Sequence, residues 1–249
     1  MSERQFQMAT LSDLVSVVAG VTGLPEATVF AYGRFAREAG LISQGGRGRG
    51  GAQMTATDAT NLLLAVCGTR VTRDAGKGIA ALRPLAGEIG STYIKPPLQL
   101  TEWLDRYSLF AVAQTGNSLL VMGTFVDYLM TEASSGQFEE LVRSLNGYGV
   151  SGPPAYRDQK FDLFEDVAVW LTVYSSIDLA YFQFRYDVPQ VGHHWLGVKF
   201  GKHGGTSITP GLTMASYVHQ RTFFALGDCL RQRKLAGTVE APAAAESRP

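Results

Sequence analysis

The residues best equipped for chemistry are arginines set among glycines. Arg47 and Arg49 alternate with glycine in the run Gln44-Gly45-Gly46-Arg47-Gly48-Arg49-Gly50-Gly51. Such a backbone packs poorly but approaches a ligand closely, so it suits bringing two guanidinium groups to a phosphate backbone. No acidic residue stands near them in the sequence. Arg34, Arg37 and Thr28 lie just upstream, in the stretch from Pro25 to Ala39. There Val29, Tyr32, Phe35, Ala36 and Ala39 recur at spacings of three and four, which predicts a helix that buries this stripe and turns Thr28, Arg34 and Arg37 outward. Arg34 also lies four residues before Glu38, a spacing that allows surface charge pairing.

Other chemistries lack their spacing. The glycine run contains no GxxxxGK[ST] and no strand-borne GxGxxG, and Gly76-Lys77-Gly78 has no phosphate loop before it. His193 and His194 are adjacent, with Asp187 and His203 as conceivable partners, and read as a loop pair near Trp195 rather than a metal site. There is no GxSxG, and Thr115-Gly116-Asn117-Ser118 has no elbow around it. Glu139-Glu140 and Glu165-Asp166 read as solvated faces. No catalytic residue, metal site or cofactor is therefore expected. Cys67 and Cys229 each sit in an apolar helical run, as buried free thiols do.

The arginines need a frame. An apolar helix over Leu11 to Val21 runs into Thr22-Gly23-Leu24-Pro25, where Gly23 permits a tight turn and Pro25 presets the next helix. That helix closes at Glu38-Ala39-Gly40-Leu41-Ile42, with a C-terminal glycine leading into an apolar strand. Beyond the glycine run, Thr55 is placed to cap a further helix with Asp58 as its reciprocal partner, and Ala59, Leu62, Leu63 and Val66 form its apolar face. Helix, turn, helix, strand and basic wing follow one another in the order used by DNA-binding winged helices.

Residues 11 to 57 resemble the winged helix-turn-helix superfamily. The phrase GLPEATV…AREAGLI is similar to the turn, recognition helix and EAGLI passage of many bacterial regulators. The longer run through GGRGRGGAQMTATDATNLLLAV looks like a domain of phage and prophage proteins. The resemblance implies double-stranded DNA as partner, with helix 25–39 in the major groove, Thr28, Arg34 and Arg37 as contacts, and Arg47 and Arg49 on phosphates. A homodimer or higher homo-oligomer would match paired half-sites. The expected setting is transcriptional regulation in a bacterium or prophage. The alternatives are a phage DNA-packaging recognition subunit and a protein-interaction or structural module. Phe30, Ala31 and Gly33, where polar base readers would be expected, keep the last one open.

Charge sharpens this expectation. The chain has 249 residues, 45% of them hydrophobic, and a formal net charge of zero. That composition supports a packed core and excludes bulk-charge coating of nucleic acid. Residues 10 to 70 hold five arginines (Arg34, Arg37, Arg47, Arg49, Arg70) against four acids (Asp13, Glu26, Glu38, Asp58), so DNA contact must come from clustering.

The fold class expected is α+β: an N-terminal winged helix-turn-helix followed by a mixed helix and antiparallel-hairpin domain. Residues 1–90 form the first unit, with a helix from Arg70 to about Ile89 and a linker over Gly90 to Pro97. Residues 91–235 form an assembly or sensing domain, and 236–249 a disordered tail. In the second unit, helices are expected at Leu100 to Tyr107, Phe125 to Ala133, Gln137 to Leu145 and Thr213 to Lys234. Phe110 to Gln114 and Leu119 to Gly123 fit either helix or strand. The runs 167–174 and 179–186, β-branched and aromatic around Ser175-Ser176-Ile177-Asp178, predict a hairpin, and Gly192 to Gly211 reads as loop. The hairpin aromatics (Trp170, Tyr174, Tyr181, Phe182, Phe184, Tyr186) read as core and sheet packing rather than a base-stacking platform. The N-terminus lacks a signal-peptide pattern, and no run reaches about 18 apolar residues, so no membrane contact and a cytoplasmic location are expected.

Overall fold

A computed structural model describes residues 9–44, 52–91, 120–146, 167–188, 192–201 and 215–235. Among them the chain is α+β, with helices joined to one five-stranded antiparallel sheet. Helix α1 spans Leu11–Thr22, α2 Glu26–Glu38, α3 Ala56–Gly68 and α4 Ala75–Leu82. Their starts follow from local chemistry. Thr10 and Asp13 form a reciprocal capping box on α1, and Thr55 and Asp58 form the expected one on α3. Gly23, at φ 71°, closes α1 by donating its N–H to the Ala19 carbonyl at 2.9 Å.

Strand β1 is Gly87–Ser91, and after it come α5 (Met122–Ser135) and α6 (Gln137–Asn146). The hairpin is present as β2 (Val167–Tyr174) and β3 (Leu179–Val188), paired from Val167↔Tyr186 to Tyr174↔Leu179. Strand β4 is Gly192–Phe200, β5 is Ala215–His219, and α7 is Gln220–Leu235. The sheet order is β1-β4-β3-β2-β5.

Several local expectations are corrected. The helix after Arg70 ends at Leu82 because Pro84 cannot continue the ladder, and Gly87–Ser91 pairs with β4 instead of starting a linker. The stretch read as loop contains β4, in which His194, Leu196, Val198 and Phe200 alternate with His193, Trp195, Gly197 and Lys199. His193 and His194 thus lie in a strand, in register with Asp187 and Tyr186. The last helix begins at Gln220, since Ala215–His219 pairs with β2. Leu41 and Ile42 are not a strand. The expected elements at Leu100–Tyr107 and Phe110–Gln114, and the 236–249 tail, lie outside the described residues.

The core begins where α5, α6 and α7 cover one sheet face. Phe125 meets Phe182 and Phe200, and Phe138 meets Phe184 and Phe223, with ring centroids 4.8–6.1 Å apart. Helices α5 and α7 cross so tightly at Gly227 that a Cβ there would lie 2.5 Å from the Ala133 backbone. Behind them, α1 packs on α7 and α3 on α5, so the apolar core runs unbroken from Leu14 and Leu63 to Phe182. Polar contacts span the same layers. Arg83 reaches Asn61 Oδ1 at 2.6 Å and Asp127 Oδ2 at 2.5 Å, while Asn61 Nδ2 donates to the Leu41 carbonyl at 2.5 Å.

Candidate nucleic-acid interface

Helix α2 is fixed from three sides. Ser16 on α1 donates to Glu26 Oε1 at 2.5 Å, and Gly33 lies against Leu11, where an added Cβ would stand 3.1 Å from a methyl carbon. Tyr32 is buried and donates its hydroxyl to the Thr69 carbonyl at 2.7 Å; burial also raises the phenol's pKa. Val29, Tyr32 and Ala36 are buried as the periodicity predicts, but Gly33 joins them and Ala39 is exposed. The outward crest therefore consists of Ala27, Phe30, Ala31, Arg34 and Glu38, with Phe30 48% exposed.

The three predicted helix contacts are not brought together on one face. At about 100° per residue, Arg37 lies about 60° from Arg34, on one flank of the crest. Thr28 is about 180° from Arg37, on the opposite flank. Arg34 is exposed, pairs with Glu38 at 3.5 Å and lies 4.5 Å from the Phe35 ring centre. Arg37 is half-buried, and its Nε is shielded from solvent with no hydrogen-bond partner among the described residues. Thr28 is half-buried too.

Cations on the Thr28 side were not singled out from the sequence. The segment after α3 packs on this edge of α2, through Thr69 against Tyr32 and Gly76 against Ala39. It exposes Arg70, Arg73 and Lys77, the last paired with Asp74 at 2.9 Å. The signal available was their i, i+3 and i, i+7 spacing in the helix expected from Arg70.

Arg47 and Arg49 lie outside the described residues, but both ends of their segment are anchored. Ser43 donates its N–H and hydroxyl to the Asp58 carboxylate at 2.7 and 3.0 Å, and the Met54 N–H donates to the Ala9 carbonyl at 2.9 Å. Gln44 reaches back to the Arg37 carbonyl at 3.0 Å. Ser43, Gln44 and Met54, the described residues on either side of the glycine run, are thus held against the helical body. No strand pairing flanks it among the described residues.

Further chemistry is sparse. No group of three metal-ligating side chains occurs among the described residues. Cys67 is buried and its thiol is pushed up to about 12 by desolvation. No described helix is long and apolar enough to cross a membrane. The chain matches no family model, no curated protein and no solved structure.

Proposed function

We propose that the chain binds double-stranded DNA with α2 in the major groove. The observation that carries this reading is the spread of cations around α2: Arg34 on its crest, Arg37 on one flank, and Arg70 and Arg73 beside the other. A groove-bound helix meets a phosphate strand on each side, so cations on both flanks suit it better than a single basic stripe. The sequence between Gln44 and Ala52 supplies Arg47 and Arg49 as further phosphate contacts. Phe30 and Ala31 on the crest suit apolar contact with thymine methyl groups, leaving affinity to the phosphates. Thr28, at the edge of this surface, is a phosphate contact. A homo-oligomeric regulator of bacterial or prophage transcription, or a phage packaging subunit, would use such a surface.

Electrophoretic mobility shift over a salt series tests the reading. Alanine at Arg34, Arg70 or Arg73 should each reduce the slope of log K against log salt by about one, and Arg47→Ala/Arg49→Ala by about two. A wild-type chain that fails to bind duplex at low salt removes it. The second reading, a protein-docking module, is favoured by the exposure of Phe30 on the crest. On that reading duplex binding is absent, and Phe30→Glu abolishes a protein complex instead.

A further inference from the structure

Asp58, in the first turn of α3, is an acidic residue only 3% exposed. A carboxylate withdrawn that far from water is costly unless hydrogen bonds replace the water. Both of its oxygens are engaged. Oδ2 accepts from the Thr55 N–H and hydroxyl, each at 2.8 Å, and from the Ser43 hydroxyl at 3.0 Å. Oδ1 accepts from the Ser43 N–H at 2.7 Å. The Thr55 bonds belong to the capping box that starts α3, but the Ser43 bonds have no part in it. Asp13, the matching acid of the α1 box, is half-buried, so a cap does not by itself require a buried carboxylate.

The two partners of Asp58 bracket the arginine-bearing run. Eleven residues, 44–54, separate Ser43 from Thr55, and five of them are glycine. An unconstrained glycine-rich chain of that length averages about 18 Å from end to end. Here both ends touch one carboxylate. Neighbouring bonds hold the same base. Asn61, one turn further along α3 and also 3% exposed, donates to the Leu41 carbonyl at 2.5 Å. The Leu41 N–H in turn donates to the Ala36 carbonyl, in the last turn of α2, at 2.9 Å.

We infer that Asp58 is a positioning residue for the DNA surface, closing the base of the segment that supplies Arg47 and Arg49. The inference rests on the duplex reading. Asp58 does not touch the ligand, since it is buried and its charge would repel a phosphate. It acts by closing the chain before DNA arrives, so that the entropy of ordering is lost on folding rather than on binding. Arg34, Arg70 and Arg73 stand outside the bracketed run, and their contribution does not depend on it.

The test uses the full chain and a fluorescein-labelled duplex of random sequence, because phosphate contacts are read without a specific site, with anisotropy at low salt. Asp58→Asn keeps the shape but has one strong acceptor oxygen where the carboxylate has two, so the Ser43 and Thr55 bonds cannot all persist. It should weaken binding about ten-fold. Placed in an Arg47→Ala/Arg49→Ala chain, the same change should alter affinity by less than about two-fold, because sites that act through one another are not additive. Ser43→Ala supplies a second variant, since Ser43 is exposed and lies outside the α3 capping box. It should weaken binding about three-fold, and Ser43→Thr, which keeps the hydroxyl, should restore it. Circular dichroism checks that each variant is folded, and if Asp58→Asn is not, Ser43→Ala in the two arginine backgrounds decides. Equal losses with and without Arg47 and Arg49, or no loss from either change, overturn the inference while leaving the duplex reading intact. A wild type that binds no duplex overturns both.

Discussion

Replacing Arg83 tests whether the helices before β1 and those after it act as one body. Arg83 contacts Asn61 on α3 and both carboxylate oxygens of Asp127 on α5, at 2.6, 2.5 and 3.4 Å. Its side chain is 27% exposed and that of Asp127 22%, so water screens the pair only in part. Its stem packs where a Cβ on Gly123 would lie 2.9 Å from its Nε, so Arg83→Met is the cleaner change: the stem is largely kept and the charge is lost. Hydrogen bonds to charged groups contribute about 1.5–3 kcal/mol, and partial exposure places the expected loss near 2 kcal/mol. Asp127→Asn should cost a similar amount. Because both changes break the same interaction, the double variant should lose about 2.5 kcal/mol rather than about 4, a coupling of about 1.5 kcal/mol. For a chain of this size, 2 kcal/mol corresponds to a fall of about 4–8 °C in Tm. Urea unfolding of the four chains measures the cycle. Losses that add to within about 0.5 kcal/mol would refute the reasoning.

Three further outcomes are expected. Tyr32→Ala should destabilise the protein by roughly 3 kcal/mol, through a lost core ring and an unpaired Thr69 carbonyl, whereas Arg34→Ala, in an exposed pair with Glu38, should stay within about 0.5 kcal/mol; thermal melts compare them. Cys67 should resist iodoacetamide in the native state and react once unfolded, as peptide mass spectrometry would show. Since its folded pKa of about 12 lies above an unfolded value near 8.5, its contribution to stability is complete below about pH 8.5 and is lost as pH rises toward 12. A chain ending at Gly90 should lack a cooperative unfolding transition, because α1 and α3 lean on α7 and α5 and β1 pairs with β4; circular dichroism on heating reports this.

Elements with a self-contained signal were readable from the sequence. The Thr55–Asp58 capping box, the Gly23 turn and the β2–β3 hairpin are specified within a few residues, and each is present. Elements defined by distant partners were not. Gly87–Ser91 has two glycines in five residues and becomes a strand only because β4, over a hundred residues later, supplies its ladder. Ala215–His219 abuts α7 and shares its apolar spacing, so the helical period extended across it until β2 pairing won. The candidate interface was half visible. Arg34 and Arg37 were found by periodicity, but the second flank is made by a segment brought beside α2 by Tyr32 and Ala39. Sequence spacing cannot report that approach.

The pairing of α1 with α7 has a consequence for synthesis. The buried side of α1, Leu11, Leu14, Val15 and Val18, is made well before the helix that covers it, Gln220–Leu235. At about 5–20 residues per second, the roughly 200 residues between them take about 10–40 s to emerge. Throughout that interval the growing chain presents an apolar helix face with its eventual cover still unmade. The order of manufacture therefore leaves that face of α1 open to chaperones, proteases and neighbouring nascent chains until its cover is made.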